Sequence, residues 1–217
     1  MILNILTMVS LAVACGWAQA QAPDGRWDGT ITYGALNVPF TIHFEPNGKT
    51  LTGYFVNGDS RVTSTEGSFE AGSVRLTFGA TGARLEATLA DGQLKGAIGS
   101  GGQHMHPFTA SKFCSCASEG DAGPDISGTW EAPDSGWRLT IQRKGDDTLA
   151  TVSRPSGELG PLAGRFDGLT FMLHYFDGVH AAVLEIEERK DGGLDLKFTE
   201  PGTGVKKYRA VKATTRK

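Results

Sequence analysis

Alternating apolar and polar residues, cut at short intervals by turn dipeptides, run through this chain and do so twice over. Successive side chains of a strand point to opposite faces, so a period of two marks strands with one face buried. Phe40, Ile42 and Phe44 alternate with Thr41 and His43, and Pro46-Asn47-Gly48 then turns the chain toward a strand around Tyr54. Val74, Leu76 and Phe78 alternate with Arg75 and Thr77; Leu85, Ala87 and Leu89 follow, and Asp91-Gly92 turns into Leu94. Asn-Gly and Asp-Gly accept the positive φ angles that tight hairpins need. After the N-terminal segment no stretch keeps a helical period with caps, so the expected class is all-β, built as antiparallel meanders.

The second half repeats the order of the first, as in an internal duplication. Gly25-Arg26-Trp27 corresponds to Gly128-Thr129-Trp130, and Phe40-Thr-Ile-His-Phe44 to Trp137-Arg-Leu-Thr-Ile141. Gly67-Ser68-Phe69 matches Gly164-Arg165-Phe166, Leu85-Glu86-Ala87 matches Leu184-Glu185-Ile186, and Phe108-Thr-Ala-Ser-Lys112 reads like Tyr208-Arg-Ala-Val-Lys212. Each copy opens on a Trp strand and closes on an aromatic one. The expected organisation is a first meander over 21–114, a small, polar linker over 115–125 and a second meander over 126–217. Two small barrels satisfy this pattern, and so does one larger, lipocalin-like barrel or sandwich made by both copies.

Residues Ile2 to Ala14 are apolar apart from Asn4, Thr7 and Ser10, a run that suits a signal-peptide core and is too short to span a bilayer. Ala18-Gln19-Ala20 follows as a small-x-small cleavage pattern, and Pro23 argues against a cut after Ala22, so 1–20 reads as a signal peptide although its start carries no Lys or Arg. Leu11-Ala-Val-Ala-Cys15 is an incomplete lipoprotein box, because Ala12 stands where a larger aliphatic residue is usual. The expected location is periplasmic or secreted, with no lipid at Cys15 and no membrane span left after cleavage. A formal net charge of −3 supplies no broad cationic field for nucleic acid. The basic stretch Lys206, Lys207, Arg209, Lys212, Arg216, Lys217 reads as a solvated last strand and tail, with an acidic docking partner as the alternative.

Cys114 and Cys116 remain after removal of Cys15 and cannot staple a fold by themselves. They read as one local disulfide, a pair of thiols or a redox pair, though a Cys-x-Cys with no following helix lacks the feature that lowers thiol pKa in Cys-x-x-Cys sites. His104 and His106 are candidate zinc or copper ligands. If Phe108 to Lys112 is a strand, His106 and Cys114 stand about 26 Å apart at ~3.3 Å per residue, which separates the histidines from the thiols. The leading reading places both histidines in the Gly-rich loop Gly99 to Gly102, facing solvent, with metal binding as the alternative. No Gly-x-Ser-x-Gly, His-Glu-x-x-His or Gly-x-x-x-x-Gly-Lys motif is present, no cofactor is implied, and catalysis is not expected. Glu66, Asp59, Glu86 and Glu185 read as solvated strand or turn carboxylates. Trp27, Trp130 and Trp137 read as core anchors, although an aromatic-lined barrel would also suit a small apolar ligand.

Asn57-Gly-Asp-Ser-Arg-Val-Thr-Ser-Thr-Glu-Gly-Ser-Phe69, preceded by Trp27-Asp-Gly-Thr and followed by Leu85-Glu-Ala-Thr-Leu-Ala-Asp-Gly-Gln-Leu94, resembles the β-rich N-terminal region of exported TlpA/ResA-like thiol-disulfide reductases. Leu162-Ala-Gly-Arg-Phe-Asp-Gly168, His174-Tyr-Phe-Asp-Gly178 and Ala182-Val-Leu-Glu-Ile186 fit the second half of that region. In those relatives a thioredoxin-like domain with a Cys-x-x-Cys carries the electron chemistry. No Cys-x-x-Cys occurs in this sequence, so the resemblance implies a bacterial envelope location and an accessory role. Its expected partner is an envelope thioredoxin-like protein or a substrate protein. Carriage of a small apolar ligand and thiol chemistry at Cys114 and Cys116 are the alternatives.

Overall fold

A computed structural model describes residues 21–101, 104–114 and 123–214, and among them every regular element is a strand. The first copy supplies β1 (Gly25–Tyr33), β2 (Leu36–Asn47), β3 (Thr50–Asn57), β4 (Ser60–Thr63), β5 (Glu66–Glu70), β6 (Ser73–Phe78), β7 (Ala83–Ala90), β8 (Gln93–Ser100) and β9 (His104–Lys112). The second supplies β10 (Gly128–Ala132), β11 (Trp137–Lys144), β12 (Asp147–Arg154), β13 (Gly157–Phe166), β14 (Phe171–Phe176), β15 (Ala181–Glu188), β16 (Leu194–Glu200) and β17 (Gly204–Lys212). All pairings are antiparallel. β10 to β17 close into an eight-stranded barrel in chain order.

The first copy closes in the same way once β4 and β5 are seen as two halves of one bent strand. The outer edge of β3 is shared between them, β4 covering its C-terminal half and Ser68 of β5 lying opposite Thr50. At the bend the chain changes partner. The Ser64 N–H donates to Gly53 O at 2.8 Å, and the next N–H, of Thr65, donates to Thr77 O at 2.7 Å. The counterpart strand β13 also passes from one neighbour to the other, with a register shift opposite Ala150 and Val152. Of the two architectures left open by the sequence, the structure therefore adopts two separate eight-stranded barrels.

The internal alignment holds at the level of register. Trp27 faces Ile42 as Trp130 faces Leu139. Gly67 faces Leu76 as Gly164 faces Leu173, and those leucines face Leu85 and Leu184 in turn. Trp27 faces Lys112 as Trp130 faces Lys212, which closes each ring. Each Trp is buried and bonds its own entry segment, Trp27 Nε1–H donating to Asp24 O at 3.3 Å and Trp130 Nε1–H to Ile126 O at 2.9 Å. Asp91 and Gly92 have φ of 52° and 73°, the two positive values that a type I′ turn requires.

Gly67 has no room for a side chain. A Cβ there would clash with the carbonyl oxygen of Leu51 and the end of the Leu76 side chain. Because the obstructing atom is backbone, Gly67→Ala is expected to cost about 2 kcal/mol, read as a lower urea midpoint, whereas Gly48→Ala meets open space and strains only its own turn.

The barrels are interlocked. Inside the first barrel Phe40, Phe55 and Phe78 fill the space between the strands, all at most 3% exposed. Phe176, at the end of β14, projects outward from the second barrel and joins that cluster, with ring centroids 5.4 Å from Phe40 and 4.9 Å from Phe55. Ala181 and Val183 of β15 belong to the same core, so the β14–β15 hairpin packs into the first barrel's core beside the β6–β7 turn. Asn57 secures it: its Nδ2–H donates to Phe176 O at 2.9 Å and its Oδ1 accepts the Phe176 N–H at 3.0 Å. Nearby, Leu149 packs over Gly58 and Lys144 pairs with Asp59 across the junction. Asp59 is solvent-exposed, as expected, and also pairs across the junction. Asn57→Ala leaves two buried backbone groups of Phe176 without partners and is expected to cost about 2 kcal/mol in urea unfolding, while Asn57→Asp retains only the acceptor.

Candidate functional site

Outward residues normally meet water, but where the barrels abut they face each other across a cleft of 480 Å3. The first barrel contributes Arg26 and Asp28, which flank the inward Trp27, and Thr41 and His43, which alternate with Phe40, Ile42 and Phe44. The second contributes Asp147 from the start of β12, Arg165 from β13, and Met172 and His174, which alternate with Phe171 and Leu173 on β14. The site is therefore a product of strand alternation on both sides.

Its charges are held in place. Arg26 donates to Asp28 through Nε at 3.0 Å and Nη2 at 3.2 Å, and the Thr41 hydroxyl donates to Asp28 Oδ1 at 2.8 Å. The other face of the Arg26 guanidinium lies 4.2 Å from the centroid of the Phe113 ring. Across the cleft Arg165 Nε donates to Asp147 Oδ1 at 2.7 Å, a bond that keeps the guanidinium charged. Half-exposed ion pairs of this kind add little stability; what they supply is fixed orientation. His43 stacks on Tyr54 at 5.2 Å with rings 10° from parallel, and Arg61 covers the opposite face of Tyr54. Burial, helped by Arg26 and Arg61, lowers the His43 pKa.

His174 lies between the two pairs. Burial pushes its pKa down to about 4, against the attraction of Asp28 and Asp147 and with the help of Arg26. At neutral pH it is an uncharged imidazole with one donor and one acceptor nitrogen. No catalytic constellation is built around it: neither a thiol nor a hydroxyl is hydrogen-bonded to its ring among the described residues, and the Thr41 hydroxyl is committed to Asp28. The arrangement presents charged and hydrogen-bonding groups to the cleft.

The residues singled out from the sequence lie elsewhere. His104 and His106 belong to β9, not to the Gly-rich loop, because the strand pairing of β8 with β9 runs to Ser100 opposite His104. They share one face of the strand, and the His106 ring packs 4.1 Å from that of Tyr33. Burial and the neighbouring His104 lower the His106 pKa. Among the described residues no three His, Cys, Asp or Glu side chains are gathered in a way that would hold a metal. Cys114 is exposed just past the end of β9, next to the Phe113 that covers Arg26, and Cys116 lies outside the described residues. Residues 1–20, read from the sequence as a signal peptide, are also outside them, as are Arg216 and Lys217. Lys206, Lys207 and Arg209 are exposed along β17, as expected, while the Lys212 ammonium sits 5.4 Å from the centroid of Trp130. Glu185 is bonded to Lys197 at 2.7 Å and is part-buried, unlike the exposed Glu66 and Glu86.

The cleft residues were missed because each looks like an ordinary outward strand residue. The difference between the copies does mark them. By register, Arg75, Thr77, Gly79 and Arg84 correspond to Met172, His174, Phe176 and Val183. The second copy has exchanged a polar outer face for an apolar one along a single hairpin, and that hairpin is the part that meets the first barrel. No family model and no curated protein matches this chain.

Proposed function

We propose that this chain is an exported, non-catalytic binding module that docks an envelope thioredoxin-like protein at the inter-barrel cleft. The observation that carries the docking surface is the interlock: Phe176 and Asn57 fix the two barrels against each other, so Arg26, Asp28, Asp147, Arg165 and His174 form a prearranged polar surface. Prearranged groups spend less entropy on binding than mobile ones. Paired charges of both signs, flanked by Pro39, Val56 and the exposed Met172, suit a protein surface that is itself mixed in charge. The redox class of the partner rests on the resemblance to the TlpA/ResA-like N-terminal region. Close packing of Phe40, Phe55, Phe78 and Phe176 favours docking over carriage of an apolar ligand.

Calorimetric titration with the purified thioredoxin-like domain of an exported reductase from the same organism tests this. Saturable binding is expected, weakened by salt and reduced about tenfold or more by Met172→Glu, which places a charge in the cleft wall. Absence of binding, or binding indifferent to Met172→Glu, overturns it. Sequencing the N-terminus of the exported protein should give Gln21; an intact Met1 overturns the assignment to the envelope.

A further inference from the structure

The polar groups of the cleft are not all consumed by one another. Arg165 uses only Nε on Asp147, which leaves its two terminal nitrogens as a planar fork with no protein acceptor among the described residues. Asp147 accepts through Oδ1 alone, leaving Oδ2. No hydrogen bond to the His174 ring is made among the described residues, although the ring is largely shielded from water and lies within the electrostatic reach of Asp28, Asp147 and Arg26. These three side chains stand side by side, because Arg165 faces Met172 and Ala163 faces His174 across the β13–β14 pairing.

Each unspent group has a matching chemical complement. A guanidinium fork with both terminal nitrogens open fits a carboxylate through two parallel hydrogen bonds. The Asp147 oxygen beside it accepts a hydrogen bond from the peptide N–H next to that carboxylate. A neutral imidazole, with one donor and one acceptor, fits a peptide group, which offers the same pair in reverse. Met172 and Phe166 form an apolar wall for one side chain. The charges of the two Arg–Asp pairs cancel and Asp167 adds one further carboxylate to the lining, so a polyanion is disfavoured. The volume, 480 Å3, falls in the range of small-ligand sites, about 300 to 1,000 Å3.

We infer that the cleft binds the carboxyl end of a short peptide, its carboxylate on the Arg165 fork, the adjacent peptide N–H on Asp147, a further peptide group on His174 and an apolar side chain against Met172 and Phe166. This rests on the reading of the cleft as a binding surface and assigns it a small ligand in addition to the protein partner. The same chemistry is available from a free peptide or from the C-terminus of a docked protein, and the free peptide is the occupant assigned.

The probe is the tripeptide Ala-Leu-Ala, titrated by calorimetry into the purified protein with both termini free, with the C-terminus amidated, and with the N-terminus acetylated. The free form should bind, and amidation should weaken it about tenfold or more, as should Arg165→Lys, which keeps the charge and removes the fork. In the Arg165→Lys protein the amidation penalty should largely disappear, since the two changes remove one interaction. Arg165 is half-exposed, so the variant should fold, checked by an unchanged circular dichroism spectrum and thermal midpoint. Acetylation of the N-terminus should be tolerated; no binding at millimolar peptide, equal affinity for the amidated peptide, a penalty for acetylation as large as that for amidation, or an unaffected Arg165→Lys protein overturns the inference. A thioredoxin-like domain that still binds and still responds to Met172→Glu would then leave the docking reading standing; loss of both would remove it. Binding of that domain abolished by amidating its own C-terminus, with no binding of the tripeptide, assigns the carboxylate to the partner and overturns the free-peptide assignment.

Discussion

Phe176→Ala should lower the stability of the protein by about 4 kcal/mol and separate the unfolding of the two barrels. The ring is 1% exposed and lies among Phe40 and Phe55, which belong to the other barrel. Truncation removes its transfer free energy and leaves a cavity that cannot collapse, since Asn57 holds the backbone of residue 176 from both its N–H and its C=O. Edge-to-face geometry with Phe55 adds about 0.5 to 1.5 kcal/mol to what area alone would give. The measurement is urea unfolding followed by tryptophan fluorescence, with Trp27 reporting on the first barrel and Trp130 and Trp137 on the second. Two resolved transitions are expected in the variant. A single transition with a loss below about 1 kcal/mol would show that Phe176 does not couple the barrels.

Acidification should destabilise the protein between pH 6.5 and 4 through His174. Its unfolded-state pKa is near 6.5 and its folded-state value is about 4. Above pH 6.5 the ring is neutral in both states and contributes no pH dependence. As pH falls below 6.5 the unfolded chain takes up a proton that the folded protein refuses, so the unfolded state gains. The loss reaches about 3 kcal/mol at pH 4, at 1.36 kcal/mol per unit, and levels off below it. Burial lowers the pKa of His43 and His106 as well, so they act in the same direction. The His174 share is isolated by subtracting the profile of His174→Gln, which cannot titrate. A difference profile that stays flat from pH 7 to 4 would contradict the burial of this ring in the cleft.

Much of the fold is legible residue by residue. Alternation placed Trp27, Phe40, Ile42, Leu76 and Leu85 inward and their neighbours outward, and the pairing register reproduces the alignment of the two copies at every segment compared. The turn at Asp91-Gly92 followed from the φ values those residues tolerate. The candidate site was hardly legible. His104, His106, Cys114 and Cys116 have chemically conspicuous side chains, whereas the cleft is built from Arg, Asp, Thr and His residues that are individually ordinary on a strand. Substitution of Arg75, Thr77 and Gly79 by Met172, His174 and Phe176 in the second copy was the available signal, and it becomes readable only when the copies are compared position by position.

The sequence by itself determined the strands, their inward faces, their turns and the duplication, because those depend on residues one, two or three positions apart. The tertiary structure alone decided that the copies close as two barrels rather than one. It alone decided that the hairpin carrying Phe176 enters the neighbouring barrel, and that Arg26 and Asp28 come to face Arg165, Asp147 and His174. An outward strand residue has no local property that says whether it will meet water or another barrel. That outcome depends on burying the apolar outer face of β14 and β15, and on Asn57 satisfying backbone groups more than a hundred residues away.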